Sequence, residues 1–143
     1  GKKMREIKFR QWLPKSKDFH YWGFVKNGVF VGVELNANTH ESALKNSQQF
    51  TGLVDGSERE IYEGDIIKCN GWIGIIFFDK SYWAIKTNRK DAVAPYVLYN
   101  QRSSLKVIGN INENPELFYT SLENVGIAPK ESTLPLMTEM VQK

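Results

Sequence analysis

Between Phe50 and Asn70 the chain runs FTGLVDGSEREIYEGDIIKCN, an apolar end, a polar turn and a Glu-Gly-Asp corner that feeds a β-branched run. No other stretch restricts the fold as much. Asp can hydrogen-bond its own backbone and Gly accepts positive φ without a Cβ clash, so Asp55 and Gly56 reverse the chain. Glu63, Gly64 and Asp65 make a second corner. Beyond it Ile66 and Ile67, stiff at χ1, favour a pleated strand over a helix. Gly64 and Asp65 are therefore expected to be a structural corner, with the Asp65 carboxylate accepting backbone N–H groups at the strand entrance.

The flanking sequence repeats the same logic. Asn27-Gly28 separates two aromatic and β-branched runs, residues 19–25 and 29–35, and predicts a hairpin. Asn70-Gly71 predicts another between residues 66–69 and 72–78, and residues 79–81 turn the chain into a strand over 82–87. Three consecutive strands so joined form an antiparallel meander. Within it Ile73, Ile75 and Phe77 share one face and Trp72, Ile76 and Phe78 the other, which predicts that both faces are covered. Gly74 predicts a bulge or bend. Residues 6–12 alternate as a strand with Ile7 and Phe9 on one face and Lys8 and Arg10 on the other, ended by Pro14. The polar residues 36–49 fit a short helix capped by Thr39 or a loop. Residues 88–91 form a charged loop, and Pro95 confines the chain beyond it to an edge or irregular position. The last strands are 96–99 and 105–111, ahead of a short helical turn opened by Asn114 and Pro115.

Four blocks in order, REIKFRQW at 5–12, QFTGL at 49–53, EIYEGDII at 60–67 and VIGNINENPELF at 107–118, together resemble the YopX family of phage and prophage proteins. The resemblance spans about residues 4–118. It implies a mostly β protein with an irregular coiled or barrel-like sheet and a phage or prophage setting, and it brings no assigned reaction. The family usually carries a glycine near position 58, where this chain has Glu58, with Gly56 two residues earlier. Residues 119–143 lie outside the resemblance. They are expected to be an extension, flexible or docked on the body or a neighbouring subunit through Leu134, Leu136, Met137 and Met140.

Composition narrows the function classes. A chain of 143 residues that is 41% hydrophobic can build a single core. Nineteen basic against sixteen acidic residues leave a net charge of +3, short of the basic stripe of a dedicated nucleic-acid binder. The single cysteine, Cys69, makes no intrachain disulfide and fits a reducing interior, so a cytoplasmic location is expected, in a bacterial host cell as the family resemblance implies. The N-terminal residues lack the apolar run of a signal peptide, and no segment approaches the ~20 apolar residues of a membrane span.

Three groups of side chains are candidates for chemistry. Asp55, Glu58, Glu60, Glu63 and Asp65 could hold a divalent cation or supply an acid and a base, but they lack calcium-loop spacing and sit where solvated carboxylates are expected. His20 and His40 lie beside no recognisable nucleophile motif, and Cys69 in a β-branched run behaves as a small hydrophobe. Lys80, Tyr82, Trp83, Lys86, Arg89 and Lys90, with Arg102 nearby, resemble a β surface that stacks bases and neutralises phosphates, interrupted by Asp79 and Asp91. The expectation is a non-enzymatic β module that binds a macromolecule, with no cofactor, no metal and no catalytic residue. Nucleic-acid binding is the alternative, and a hydrolase assembled from dispersed carboxylates and His is weaker. The partners expected are an unidentified protein, a second copy of the chain or, weakly, nucleic acid, and no membrane.

Overall fold

The computed structural model describes residues 5–35, 39–87 and 96–119. In chain order they form β1 (Phe9–Leu13), β2 (Asp18–Trp22), β3 (Phe24–Lys26), β4 (Val29–Val31), α1 (His40–Lys45), β5 (Ser47–Val54), β6 (Glu60–Tyr62), β7 (Asp65–Cys69), β8 (Trp72–Asp79), β9 (Tyr82–Thr87), β10 (Tyr96–Val97), α2 (Leu98–Gln101) and β11 (Lys106–Asn110). A 3₁₀ turn, Arg102–Ser104, joins the last two.

Two antiparallel sheets result, one of four strands in the order β2-β1-β5-β6 and one of five in the order β10-β9-β8-β7-β11, with β3 and β4 as a separate hairpin. The mostly β expectation holds. Of the two sheet forms the sequence left open, the chain builds open sheets: among the described residues no pairing joins β10 to β11 or β2 to β6 to close a barrel. The meander is β7, β8 and β9, in continuous register from Cys69↔Trp72 to Asp79↔Tyr82.

Turn chemistry explains the hairpins. Asn27 and Gly28 have φ of 52° and 78°, Asn70 and Gly71 of 43° and 88°, so both pairs adopt the doubly positive turn that matches strand twist. The first hairpin is shorter than its aromatic run. Gly23, at φ 88°, splits that run, sending residues 18–22 to pair with β1 and leaving a three-residue β3.

Gly74 causes no bulge. It pairs in register with Ile67 and Thr87, and is glycine because a Cβ would lie 2.5 Å from Ile85 Cγ2 and 3.0 Å from the Lys86 carbonyl oxygen. The register shifts fall instead between Val107 and Gly109 of β11 and between Phe50 and Val54 of β5. Gly56 likewise is needed for approach, since a Cβ there would meet the Ser103 carbonyl oxygen at 2.7 Å, and the positive φ in that turn belongs to Glu58 at 65°.

Both faces of the meander are covered, as its alternation predicted. One face contributes Ile67, Cys69, Trp72, Ile76 and Ile85 to a core shared with Ile61 and Leu98, and the other contributes Ile66, Ile75, Phe77 and Ala84 to a core shared with Ile111 and Phe118. Ile66, Ile67, Ile76 and Ile85 are sealed from solvent, and at about 1.5–3 kcal/mol for each buried side chain the meander is the centre of stability. Phe78 departs from the pattern: it is exposed and meets Trp83 edge to face.

The undecided segment before β5 is helical where described. Thr39 caps α1 reciprocally with Ser42, and Glu41 and Lys45 form an exposed pair at 3.4 Å. After β11 the chain turns at Asn110, and residues 116–119 are helical, with Leu117 N–H donating to the Asn114 carbonyl (3.1 Å). Residues 88–95, including Arg89, Lys90, Asp91 and Pro95, and residues 120–143, including Leu134, Leu136, Met137 and Met140, lie outside the described residues. No described helix is long and apolar enough to cross a membrane.

Candidate functional site

The Glu-Gly-Asp corner is built from backbone and carboxylate hydrogen bonds. Asp65 Oδ2 accepts the Tyr62 N–H at 2.7 Å, Gly64 takes φ 84°, its N–H donates to the Ile76 carbonyl (2.9 Å) and its own carbonyl accepts from Ile111 N–H (2.8 Å). The Gln48 side chain lies directly on Gly64, where any Cβ would collide with its amide. The corner therefore ties β6, β8 and the end of β11 at one point.

Into this corner reaches Arg10, a residue of β1. Its register sets it beside Tyr21 of β2 and Gln48 of β5, and Gln11 on the opposite face of the strand is buried as well. Arg10 is buried. Its Nη2 donates to Asp65 Oδ1 at 2.7 Å and to the Glu63 carbonyl at 3.3 Å, and its Nε donates to Gln48 Oε1 at 2.9 Å. The guanidinium carbon lies 4.4 Å from the Phe19 ring centroid and 4.6 Å from that of Tyr62. A planar cation stacked between two rings and held by three acceptors has one orientation.

The carboxylates of this region correct the expectation of solvated acidic turns. Asp55, Glu63 and Asp65 are 4%, 6% and 2% exposed. They hold backbone. Asp55 Oδ1 accepts from Ser57 and Arg59 N–H at 2.8 and 2.9 Å, and its Oδ2 accepts from Val107 N–H at 2.9 Å, so one side chain closes its own turn and caps the outer edge of β11. Glu63 Oε1 accepts the Gln49 N–H at 3.2 Å, while its Oε2 and Gln48 Nε2 are buried with no hydrogen-bond partner.

Titration follows these environments. Burial pushes the Glu63 carboxyl up to about 7, against a smaller downward pull from Gln49 N–H and Arg10. Burial also raises Asp65, with Arg10 and the Tyr62 N–H opposing it. For Asp55 burial acts upward too, but the N–H groups of Val107, Arg59 and Ser57 together hold it below the ordinary value. Burial raises the Cys69 thiol, as suits an unreactive core residue.

Beside Arg10 the sheets leave a cleft of about 300 Å³ whose walls include Arg10, Tyr21, Arg59, Glu60, Tyr62 and Glu113. A second hollow of about 490 Å³ shares Tyr21, Glu60 and Tyr62 and extends to Lys8 and to Phe24 and Val25 of the hairpin. Sequence reasoning missed both. The one available signal was the strand parity that set Arg10 opposite Phe9, and it did not reveal which side faces inward.

The basic and aromatic group is only partly assembled. Tyr82 and Trp83 line a hollow of about 440 Å³ together with Arg5, Leu53, Phe78 and Tyr99, three of them aromatic partners or cations not foreseen in it. Lys80 occupies the β8–β9 turn at φ 59° and Lys86 is exposed farther along β9, while Arg89 and Lys90 lie outside the described residues. Tyr82 donates its hydroxyl to Asp79 (3.0 Å), and Arg102 stacks on Tyr99 at 3.8 Å. His20 Nε2 sits 2.6 Å from the Gly32 carbonyl oxygen, His40 opens α1, and Cys69 is in the core, so each occupies a different element. Among the described residues no three His, Cys, Asp or Glu side chains are grouped to hold a metal ion.

A family model described as YopX protein matches residues 8–119. A crystal structure of protein EF1440 from Enterococcus faecalis is similar in fold, with a TM-score of 0.53 at 23% identity, covering 80% of this chain and 99% of that one. No curated protein matches.

Proposed function

The chain belongs to the YopX family, and from that footing we propose that it is a non-enzymatic binding module of phage or prophage origin that acts in the host cytoplasm by docking on another protein. The observation that carries this reading is the β3–β4 hairpin. Val25, Val29 and Phe30 are 67%, 66% and 63% exposed on strands of three residues each. A two-stranded hairpin gains little stability by itself, and Val25 and Phe30, cross-strand partners on one face, with Val29 on the other, offer apolar side chains for an interaction surface. A binder is favoured over a hydrolase because His20 and His40 approach none of the buried carboxylates through a hydrogen bond or ion pair among the described residues.

The test is co-purification from lysogenic cells with wild type and Phe30→Ser, followed by reconstitution with the purified partner. One protein binding wild type stoichiometrically, and losing affinity to the variant, supports the reading. Identical binding by both, or recovery of the wild-type chain alone, contradicts it.

Nucleic-acid binding is the second reading, favoured by the hollow where Phe78, Tyr82, Trp83 and Tyr99 meet Arg5. Quenching of Trp83 fluorescence by single-stranded DNA at low salt, lost at moderate salt, is its expected signature. No quenching at low salt removes it.

A further inference from the structure

Four parts of the chain, β5, the β8–β9 hairpin, α2 and the residues before β1, wall the hollow of about 440 Å³. Phe78 and Trp83 are cross-strand partners whose rings meet edge to face at 5.1 Å, so each holds the other in place. Tyr82 and Tyr99 line the same hollow and are 39% and 57% exposed.

The charge here is one-sided. Arg5 lines the hollow and no carboxylate does. Lys80 precedes Ser81 of its wall, and Arg102 lies over the Tyr99 ring at 3.8 Å while its Nη1 donates to the Tyr99 carbonyl. Among the described residues none of these three cations is within ion-pair distance of a carboxylate. Two acids adjoin them in sequence: Glu6 pairs with Lys8 at 3.0 Å, and Asp79 accepts the Tyr82 hydroxyl at 3.0 Å. Three cations thus stand against Asp79 alone.

We propose that this hollow seats one unstacked base of a single-stranded nucleic acid, with Arg5, Lys80 and Arg102 neutralising the phosphates next to it. The seat rests on the nucleic-acid reading of the same hollow and is confined, where that reading allows a track along the sheet. Its volume is that of a single-ligand cleft, so the rings meet one base at a time. Lys86, on the Tyr82 side of β9 and farther along it, is exposed and lies off the walls, so the cations do not continue as a track. A ring stacks on a base only where the base has an open face, which bases inside a duplex lack.

The experiment is fluorescence anisotropy of end-labelled oligothymidylates of four, eight and twelve nucleotides with the full chain, over a salt series. A DNA duplex, thymidine monophosphate and an acidic peptide serve as competitors. Three phosphate contacts predict a slope of log affinity against log salt of about −2, the same at all three lengths. Each competitor is expected to be weaker than the four-nucleotide strand by about tenfold or more. Tyr99→Ala should weaken that strand about tenfold, as loss of a stacking partner requires, and Arg5→Gln should flatten the slope by about 0.7. Lys80→Gln should flatten it equally and decides the matter if another variant fails to fold, whereas Lys86→Gln should change nothing. No binding of any strand at low salt would remove the nucleic-acid reading and the seat with it. A slope that steepens with length, or a loss on Lys86→Gln, would overturn the seat and leave a basic track along β9 as the nucleic-acid surface. Equal competition by any of the three competitors, or unchanged binding by the folded Tyr99, Arg5 and Lys80 variants, would also overturn it.

Discussion

Arg10 Nη2 and Asp65 Oδ1 lie 2.7 Å apart with both side chains buried, and this ion pair pins the four-stranded sheet to the first residue of the meander. Its geometry depends on a guanidinium. Arg10→Lys keeps the charge but loses the stack between Phe19 and Tyr62 and the bonds to Gln48 and Glu63, so it should cost about 2–4 kcal/mol in urea unfolding.

Glu63 makes stability depend on pH. Its carboxyl rises from 4.5 to about 7 on folding, so between those values the unfolded chain has lost a proton that the folded chain keeps. Stability from this group is full below the unfolded value, declines as pH rises, and is lost above about 7. The gain from pH 8 to pH 5 should be roughly 3 kcal/mol at most. Glu63→Gln should remove that gain and be more stable than wild type at pH 8. Asp55, held below its ordinary value, acts with the opposite sign and loses its contribution only as pH falls below 4.

Glu58 sits at φ 65° and is exposed. A left-handed conformation costs an ordinary L-residue roughly 1–2 kcal/mol, partly offset by the greater freedom of unfolded glycine. Glu58→Gly should therefore raise stability by about 0.5–1 kcal/mol in thermal or chemical unfolding, and no gain would mean that the turn relaxes at no cost.

Gly74→Ala should destabilise by about 1–3 kcal/mol, because its methyl group enters space held by Ile85 and the Lys86 carbonyl. The cost should shrink when Ile85 is cut back to Ala, which removes the Cγ2 that the new methyl group meets, as a steric origin demands.

Legibility in the sequence divides by range. Asn27-Gly28 and Asn70-Gly71 turn the chain through their own backbone preferences, and Asp65 caps Tyr62 three residues away, so each was legible locally. The meander followed from those turns. Arg10 and Asp65 are 55 residues apart, and nothing in a polar residue on an alternating strand tells whether its face meets water or another sheet. The acidic turns misled for the same reason: Asp55 is buried because Val107, 52 residues on, brings its N–H to the carboxylate. Gly74 and Gly56 were recognised as special, but the neighbours that require glycine belong to β9 and to the turn before β11. Of the basic and aromatic group, adjacency in sequence located Tyr82 and Trp83 and could not supply Arg5 or Tyr99.

A double-mutant cycle on Arg10→Met and Asp65→Asn tests the central claim, that one buried pair joins the sheets. Each single change should cost about 3–5 kcal/mol, because it leaves the other polar group buried without its partner. The double mutant should cost less than the two together by about 2 kcal/mol or more. Additivity within about 0.5 kcal/mol would contradict the account, since it would mean that the two residues stabilise their sheets separately.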